Sequence, residues 1–119
     1  MTVKLWVDDD AFTDANRKPP TPDWNVATSS DEAIRILERM KEATERVRPE
    51  PVFEELSLDH DLGGGDTARP IVWWMYGQNF WPERIVVHSA NAYGRDWLLG
   101  TLRNIAPPSV VITTPWGLG

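Results

Sequence analysis

The chain has 119 residues, a length that suits one domain with a real core, and its hydrophobic fraction of 41% lies outside the disordered range. It contains no cysteine, which excludes disulfides and thiolate metal sites. Its net charge of −6 argues against holding duplex DNA, which takes a basic field, yet leaves room for a small phosphate substrate beside a bound divalent cation.

No apolar run approaches the roughly 20 residues that span a bilayer. The N-terminus enters a strand-like stretch with no signal-peptide pattern, so the expectation is a cytoplasmic protein with no membrane partner. Seven tryptophans suit either packing or an apolar surface for a partner.

Val3 to Val7 alternates with period two and predicts a first strand, which ends in Asp8-Asp9-Asp10. Residues 10–23 carry three prolines and predict a long loop with at most one helical turn. Trp24 to Thr28 predicts a short second strand. Ser29 to Val47 is the clearest helix: Ser29 and Glu32 have capping-box spacing, and Ala33, Ile36, Leu37, Met40, Ala43 and Val47 form an apolar stripe. Pro49 and Pro51 end it.

Phe53 to Leu58 predicts a third strand, ending in Asp59-His60-Asp61 and followed by Leu62 and the flexible Gly63-Gly64-Gly65. Asp66 is expected to cap a helix running to Gln78, with Ile71, Val72, Trp74 and Met75 as its core face and Trp73 at its surface. Arg84 to Ser89 predicts a fourth strand. Ala92 to Ile105 predicts a third helix, broken by Pro107-Pro108, and Val110 to Thr114 a fifth strand. Strands that alternate with helices and read as apolar runs imply a parallel sheet in an α/β fold. No repeat or linker divides the chain, so residues 1–119 form a single domain.

In open parallel sheets ligands bind at the carboxyl ends of the strands. Three polar clusters fall at such ends: Asp8, Asp9 and Asp10; Asp59, His60 and Asp61; His88, Ser89 and Asn91. Both histidines of the chain belong to this set. Crowded carboxylates repel one another unless a cation is present, and oxygen ligands suit Mg²⁺ or Mn²⁺. The metal ligands expected are Asp8, Asp9, Asp59 and Asp61, with Asp10 the least favoured of the acidic residues. His60 and His88 suit general acid and base work on opposite sides of a phosphate. Ser89 and Asn91 offer hydrogen bonds to phosphate oxygens, and Gly63 lets a backbone approach a ligand closely.

The acidic pair after strand one, Asp59 after strand three and the hydroxyl of Ser89 after strand four resemble the receiver domains of two-component signalling. That resemblance implies a flavodoxin-like five-stranded sheet of order 2-1-3-4-5, Mg²⁺ on the acidic pair and a phosphoacceptor role for Asp59. Receivers carry a lysine just after the fifth strand, where this chain reads Thr113-Thr114-Pro115-Trp116; Lys18 and Lys41 lie far from it in sequence. The first helix of a receiver is here a proline-rich loop, and the last is absent, so the fold is expected in three layers or partly in two.

A closer likeness lies in Leu5-Trp6-Val7-Asp8-Asp9, Ser57-Leu58-Asp59-His60-Asp61-Leu62-Gly63 and Val87-His88-Ser89-Ala90-Asn91 with Gly94. These strings are similar to the cyclic-phosphate processing receiver domains of bacteria and phages. The likeness implies a metal-dependent phosphoesterase acting on a cyclic phosphate of a nucleotide or an RNA end, with His60, His88 and Asp59 catalytic. The alternative is an inactive protein-binding module. With one helix degraded and one missing, one sheet face is expected to be bare near Trp6, to be closed by the 10–23 loop, a second copy of the chain or a protein partner. A phosphorelay receiver is the least favoured reading.

Overall fold

The structure, a computed structural model, describes residues 1–117. Its elements run β1 (Thr2–Val7), β2 (Asn25–Ala27), α1 (Ser30–Arg46), β3 (Val52–Leu58), α2 (Arg69–Gln78), β4 (Arg84–Val87), α3 (Ala92–Ile105) and β5 (Val111–Thr113). Every strand pairing is parallel, and the sheet order is β2-β1-β3-β4-β5. The chain steps outward from β1 to β2, then crosses back to β3. The switch in strand order, where a ligand crevice opens in such sheets, therefore lies between β1 and β3.

The three helices pack on one face of the sheet and on one another. Leu5, Val7, Leu56, Leu58, Ile85 and Val87 point to that side and meet Leu37, Ile71, Val72, Met75, Leu98 and Leu102, all fully buried. This is a two-layer arrangement, because nothing helical covers the other face among the described residues. Period-two alternation turns Trp6, Ser57, Val86 and Thr113 to that second face, abreast in the register. The 10–23 loop crosses its β1 end, where the Trp6 indole N–H donates to the Arg17 carbonyl (2.9 Å). Arg84 and Val111, at the β4–β5 end, stay exposed. Of the tryptophan pair on α2, Trp74 packs on the core and Trp73 is half exposed, as expected.

The Ser29 hydroxyl accepts from the Glu32 amide (3.1 Å), but the Glu32 carboxylate returns to the Thr28 amide (2.7 Å), one residue before the usual capping-box partner. Asp66 does not cap α2, contrary to expectation. Its carboxylate instead accepts from the Ser30 amide (2.8 Å) and hydroxyl (2.6 Å), at the first turn of α1. The glycine turn before it folds back toward α1, so a long-range partner outcompetes the local one. Ala68 stands at the N-cap of α2 with no side-chain bond, and Pro70 sits in the first turn, where a missing N–H costs nothing.

Candidate functional site

The register builds the site. Val7, Leu58 and Val87 lie abreast, so the next residues, Asp8, Asp59 and His88, emerge together at the carboxyl edge of β1, β3 and β4. The ladder holds them there: Asp8 N–H donates to the Ala27 carbonyl (3.0 Å), Asp59 to Val7 (2.9 Å) and His88 to Leu58 (2.9 Å). Alternation aims these three side chains to the helix-free face, on the side of Trp6 and Ser57. His60 follows the parity of Leu58 and points to the helices. The two histidines thus flank the sheet edge from opposite faces.

On the helix-free side the carboxylates converge on Arg17. Its Nε donates to Asp8 Oδ2 (2.9 Å), its Nη2 to Asp59 Oδ2, and Nη1 lies 3.7 Å from Asp10 Oδ2. Asp8 and Asp59 are 0% and 3% exposed, so this pairing is shielded from water. Asp8 Oδ2 also accepts from His88 Nε2 (3.1 Å), and Oδ1 accepts from the Asp10 amide (2.9 Å). The other His88 nitrogen, Nδ1, bonds to the Ser57 hydroxyl (2.7 Å). The ring stacks on Trp6 with centroids 4.4 Å apart and planes 16° off parallel. Both His88 nitrogens are therefore engaged.

On the helix side, Asp61 Oδ1 accepts from His60 Nδ1 (2.6 Å), and His60 Nε2 accepts from Arg69 Nε (3.0 Å). This pair of partners assigns the ring proton to Nδ1 and a lone pair to Nε2. Arg69 also lies over the Trp97 ring, 4.4 Å from its centroid. Gly94 backs onto the imidazole so closely that a Cβ there would stand 2.4 Å from His60 Cγ. Asn91 caps α3, accepting from the Tyr93 and Gly94 amides, while its Nδ2 donates to Asp61 Oδ2 (3.0 Å).

Burial pushes the Asp59 carboxyl above its ordinary range, the Asp8 charge adds to this, and Arg17 only partly opposes it. Asp9 is raised as well, by burial and then by the neighbouring Asp10 charge. Burial works against the Asp8 charge too, but the bonds from His88 and Arg17 prevail and hold its pKa below the usual value. Asp61 is lowered, first by His60 and then by Asn91. One guanidinium faces four carboxylates, and two of the four, Asp9 and Asp59, are disfavoured as anions. Asp8, Asp9 and Asp10 each offer an oxygen within 4.8 Å of the others. An all-oxygen, electron-rich donor set of this kind suits a hard divalent cation such as Mg²⁺ or Mn²⁺.

The structure brings Asp8, Asp59 and His88 into direct contact with one group, Arg17, or with each other. Asp9 lies against Gly63, whose positive φ of 79° favours glycine and where a Cβ would stand 3.0 Å from Asp9 Oδ2. Asp61, largely exposed, faces His60 and Asn91 and makes no contact with the Asp8 group. Ser89 is fully buried, and its hydroxyl accepts from the Asn91 amide (3.2 Å). Asp10, least favoured from sequence, joins both the Arg17 pairing and the carboxylate group. Sequence reasoning missed Arg17, Ser57 and Arg69. For Arg17 a signal existed: four acidic residues need a cation, and the proline-rich loop beside them is unusually long for a compact domain. Ser57 and Arg69 carried none, because only the register and the α2 packing bring them to the histidines.

Among the described residues no helix is long and apolar enough to cross a membrane. Searches of curated proteins and of solved structures find no match to the chain. A family model, the cyclic-phosphate processing receiver domain, matches residues 3–104, a span from β1 to the last turn of α3 that includes Asp8, Arg17, Asp59, His60, Arg69 and His88. With the sheet order, the carboxylate edge and this match in agreement, the chain belongs to the cyclic-phosphate processing receiver domain family.

Proposed function

We propose that the chain is a metal-dependent phosphoesterase that opens a cyclic phosphate on a nucleotide or an RNA end. One observation carries the reading: a carboxylate cluster and a carboxylate-oriented histidine flank the same sheet edge, at the switch point where ligands bind. Family membership supports the substrate class. In this reading Asp8, Asp9 and Asp59, with Asp10 beside them, hold Mg²⁺ or Mn²⁺. Such a cation, when bound, polarises the phosphoryl oxygen and lowers the pKa of its water.

The chain's own residues do the rest. Water adds to phosphorus, one ring P–O bond breaks, and the product is a phosphomonoester with a free hydroxyl. His60 is the group suited to move the proton, because Asp61 fixes Nδ1–H and the Nε2 lone pair is held by Arg69, a phosphate-binding group, where the second partner of His88 is Ser57. Arg69, by shifting from Nε2 to a phosphate oxygen, would free that lone pair as substrate arrives. His88 is a positioning residue here: with both nitrogens engaged, it orients Asp8. The substrate bonds expected of Ser89 and Asn91 would need the pair to give up its present partners, so Arg69 is the better phosphate contact.

The test is turnover of 2′,3′-cyclic nucleotides and of RNA ending in a cyclic phosphate, with Mg²⁺ or Mn²⁺ and with chelator. Ring opening should depend on metal, and His60→Ala should cost about 10²–10⁴ in rate. His88→Ala should instead raise the metal concentration needed for half-maximal rate. A second reading, a protein-binding module, draws on the helix-free face with its exposed Arg84 and Val111. Absence of turnover in folded protein that still binds Mg²⁺ would overturn the enzyme and favour that module.

A further inference from the structure

We propose that Arg17 is a built-in substitute for the divalent cation, holding Asp8 and Asp59 together in its absence, and that the metal enters by displacing Arg17 along with residues 12–16 of the loop. The inference rests on the metal reading of the site given above and adds its regulation.

The geometry leaves no room for both cations on the same atoms. Arg17 takes Asp8 Oδ2 through Nε and Asp59 Oδ2 through Nη2, bridging β1 and β3 at the switch point. Without a positive charge, two buried carboxylates on neighbouring strands repel one another in a poorly solvated place. A guanidinium answers that repulsion with one charge spread over a fork. A divalent cation answers it with two charges at a point, and four carboxylates surround the position.

The middle of the loop can follow Arg17 while its ends stay fastened, by buried Ala11 and the Asp10 amide on Asp8 at one end and by Asp23 on Lys4 (3.5 Å) at the other. Phe12 to Asn16 are exposed, and their bonds are short-range turns: Thr13 and Asp14 amides to the Asp10 carbonyl, Asn16 to the Asp14 carboxylate, Arg17 to the Asp14 carbonyl. The ties to the sheet in this stretch come from Arg17 itself, its guanidinium on the carboxylates and its carbonyl on Trp6 Nε1. Release of the side chain therefore loosens the segment as a unit. The open state would expose the Arg17–Lys18 peptide bond. Trypsin cuts after arginine, and Lys18 is followed by Pro19, which protects the next bond, so a single new cut reports on the movement.

The experiment has two arms, neither of which uses catalysis. Calorimetry measures Mg²⁺ affinity for the unaltered chain and for Arg17→Gln. The variant should bind about tenfold tighter or more, since charge-assisted hydrogen bonds no longer have to be broken. Trypsin digestion of the unaltered chain, read by mass, should show the cut after Arg17 accelerating at least about fivefold with saturating Mg²⁺, other cuts being unchanged, as expected for local opening. Equal or weaker Mg²⁺ binding by the variant, or a cut rate indifferent to Mg²⁺, overturns the proposal and leaves the metal reading standing. Absence of Mg²⁺ binding by both chains overturns the two together. Should the variant not fold, the trypsin arm decides on the unaltered chain alone.

Discussion

Gly94→Ala puts a methyl group where His60 already stands. An added Cβ would lie 2.4 Å from His60 Cγ, 2.5 Å from Nδ1 and 2.7 Å from Cβ. These atoms are the root of the ring, not a flexible tip, so a rotamer change alone does not clear the clash. Overpacking of this kind costs about 1–3 kcal/mol, and the site belongs at the upper end. Alanine returns about 1 kcal/mol through helix propensity, since Gly94 lies in the first turn of α3. The net expectation is a loss of about 2 kcal/mol, read from the urea midpoint at constant slope. The imidazole must also leave the Asp61 and Arg69 partners that orient it. Ring-opening turnover should then fall toward that of His60→Ala, about 10²-fold or more. In a His60→Ala background the contacts to Cγ and Nδ1 disappear while the one to Cβ persists, so the two changes should couple by about 1 kcal/mol. A Gly94→Ala protein as stable as its parent, with unchanged turnover and no coupling to His60, would refute the reasoning.

Two further outcomes follow from the geometry. Asp66→Ala removes both bonds to Ser30 and should cost about 1 kcal/mol, the usual loss of a helix cap, in a urea unfolding curve; unchanged stability would show that α1 does not depend on this tie. Asp59 bears on pH: its folded pKa is raised above the ordinary 3.8, so the stability its burial allows is present below that value and is lost as pH rises through the folded pKa. Without metal, Asp59→Asn should therefore be more stable than the parent at pH 7, and the difference should vanish as pH falls below 3.8; a gain that persists in acid would point to packing instead.

The architecture was legible because its signals are local. Alternation in residues 3–7 and 53–58, the apolar stripe from Ala33 to Met40 and the proline breaks each act within a few residues, and they yield a parallel α/β sheet without any knowledge of contacts. The candidate edge was legible for a related reason: Asp8, Asp59 and His88 each stand one residue past a strand, and parallel strands of one register deliver their ends to one place. The sequence by itself thus determined which acidic and histidine side chains share one edge of the sheet.

Tertiary structure decided how those side chains are paired. Arg17 reaches Asp59 across 42 positions, Asp66 reaches Ser30 across 36, and His88 reaches Asp8 across 80. No local rule ranks such partners against nearer ones, because the free energy of each pairing depends on burial and on competitors that only packing supplies. The same packing separates the two histidines. Parity sends His60 to the helices and His88 to the open face, and there the fold gives one Asp61 and Arg69 as partners and the other Ser57 and Asp8.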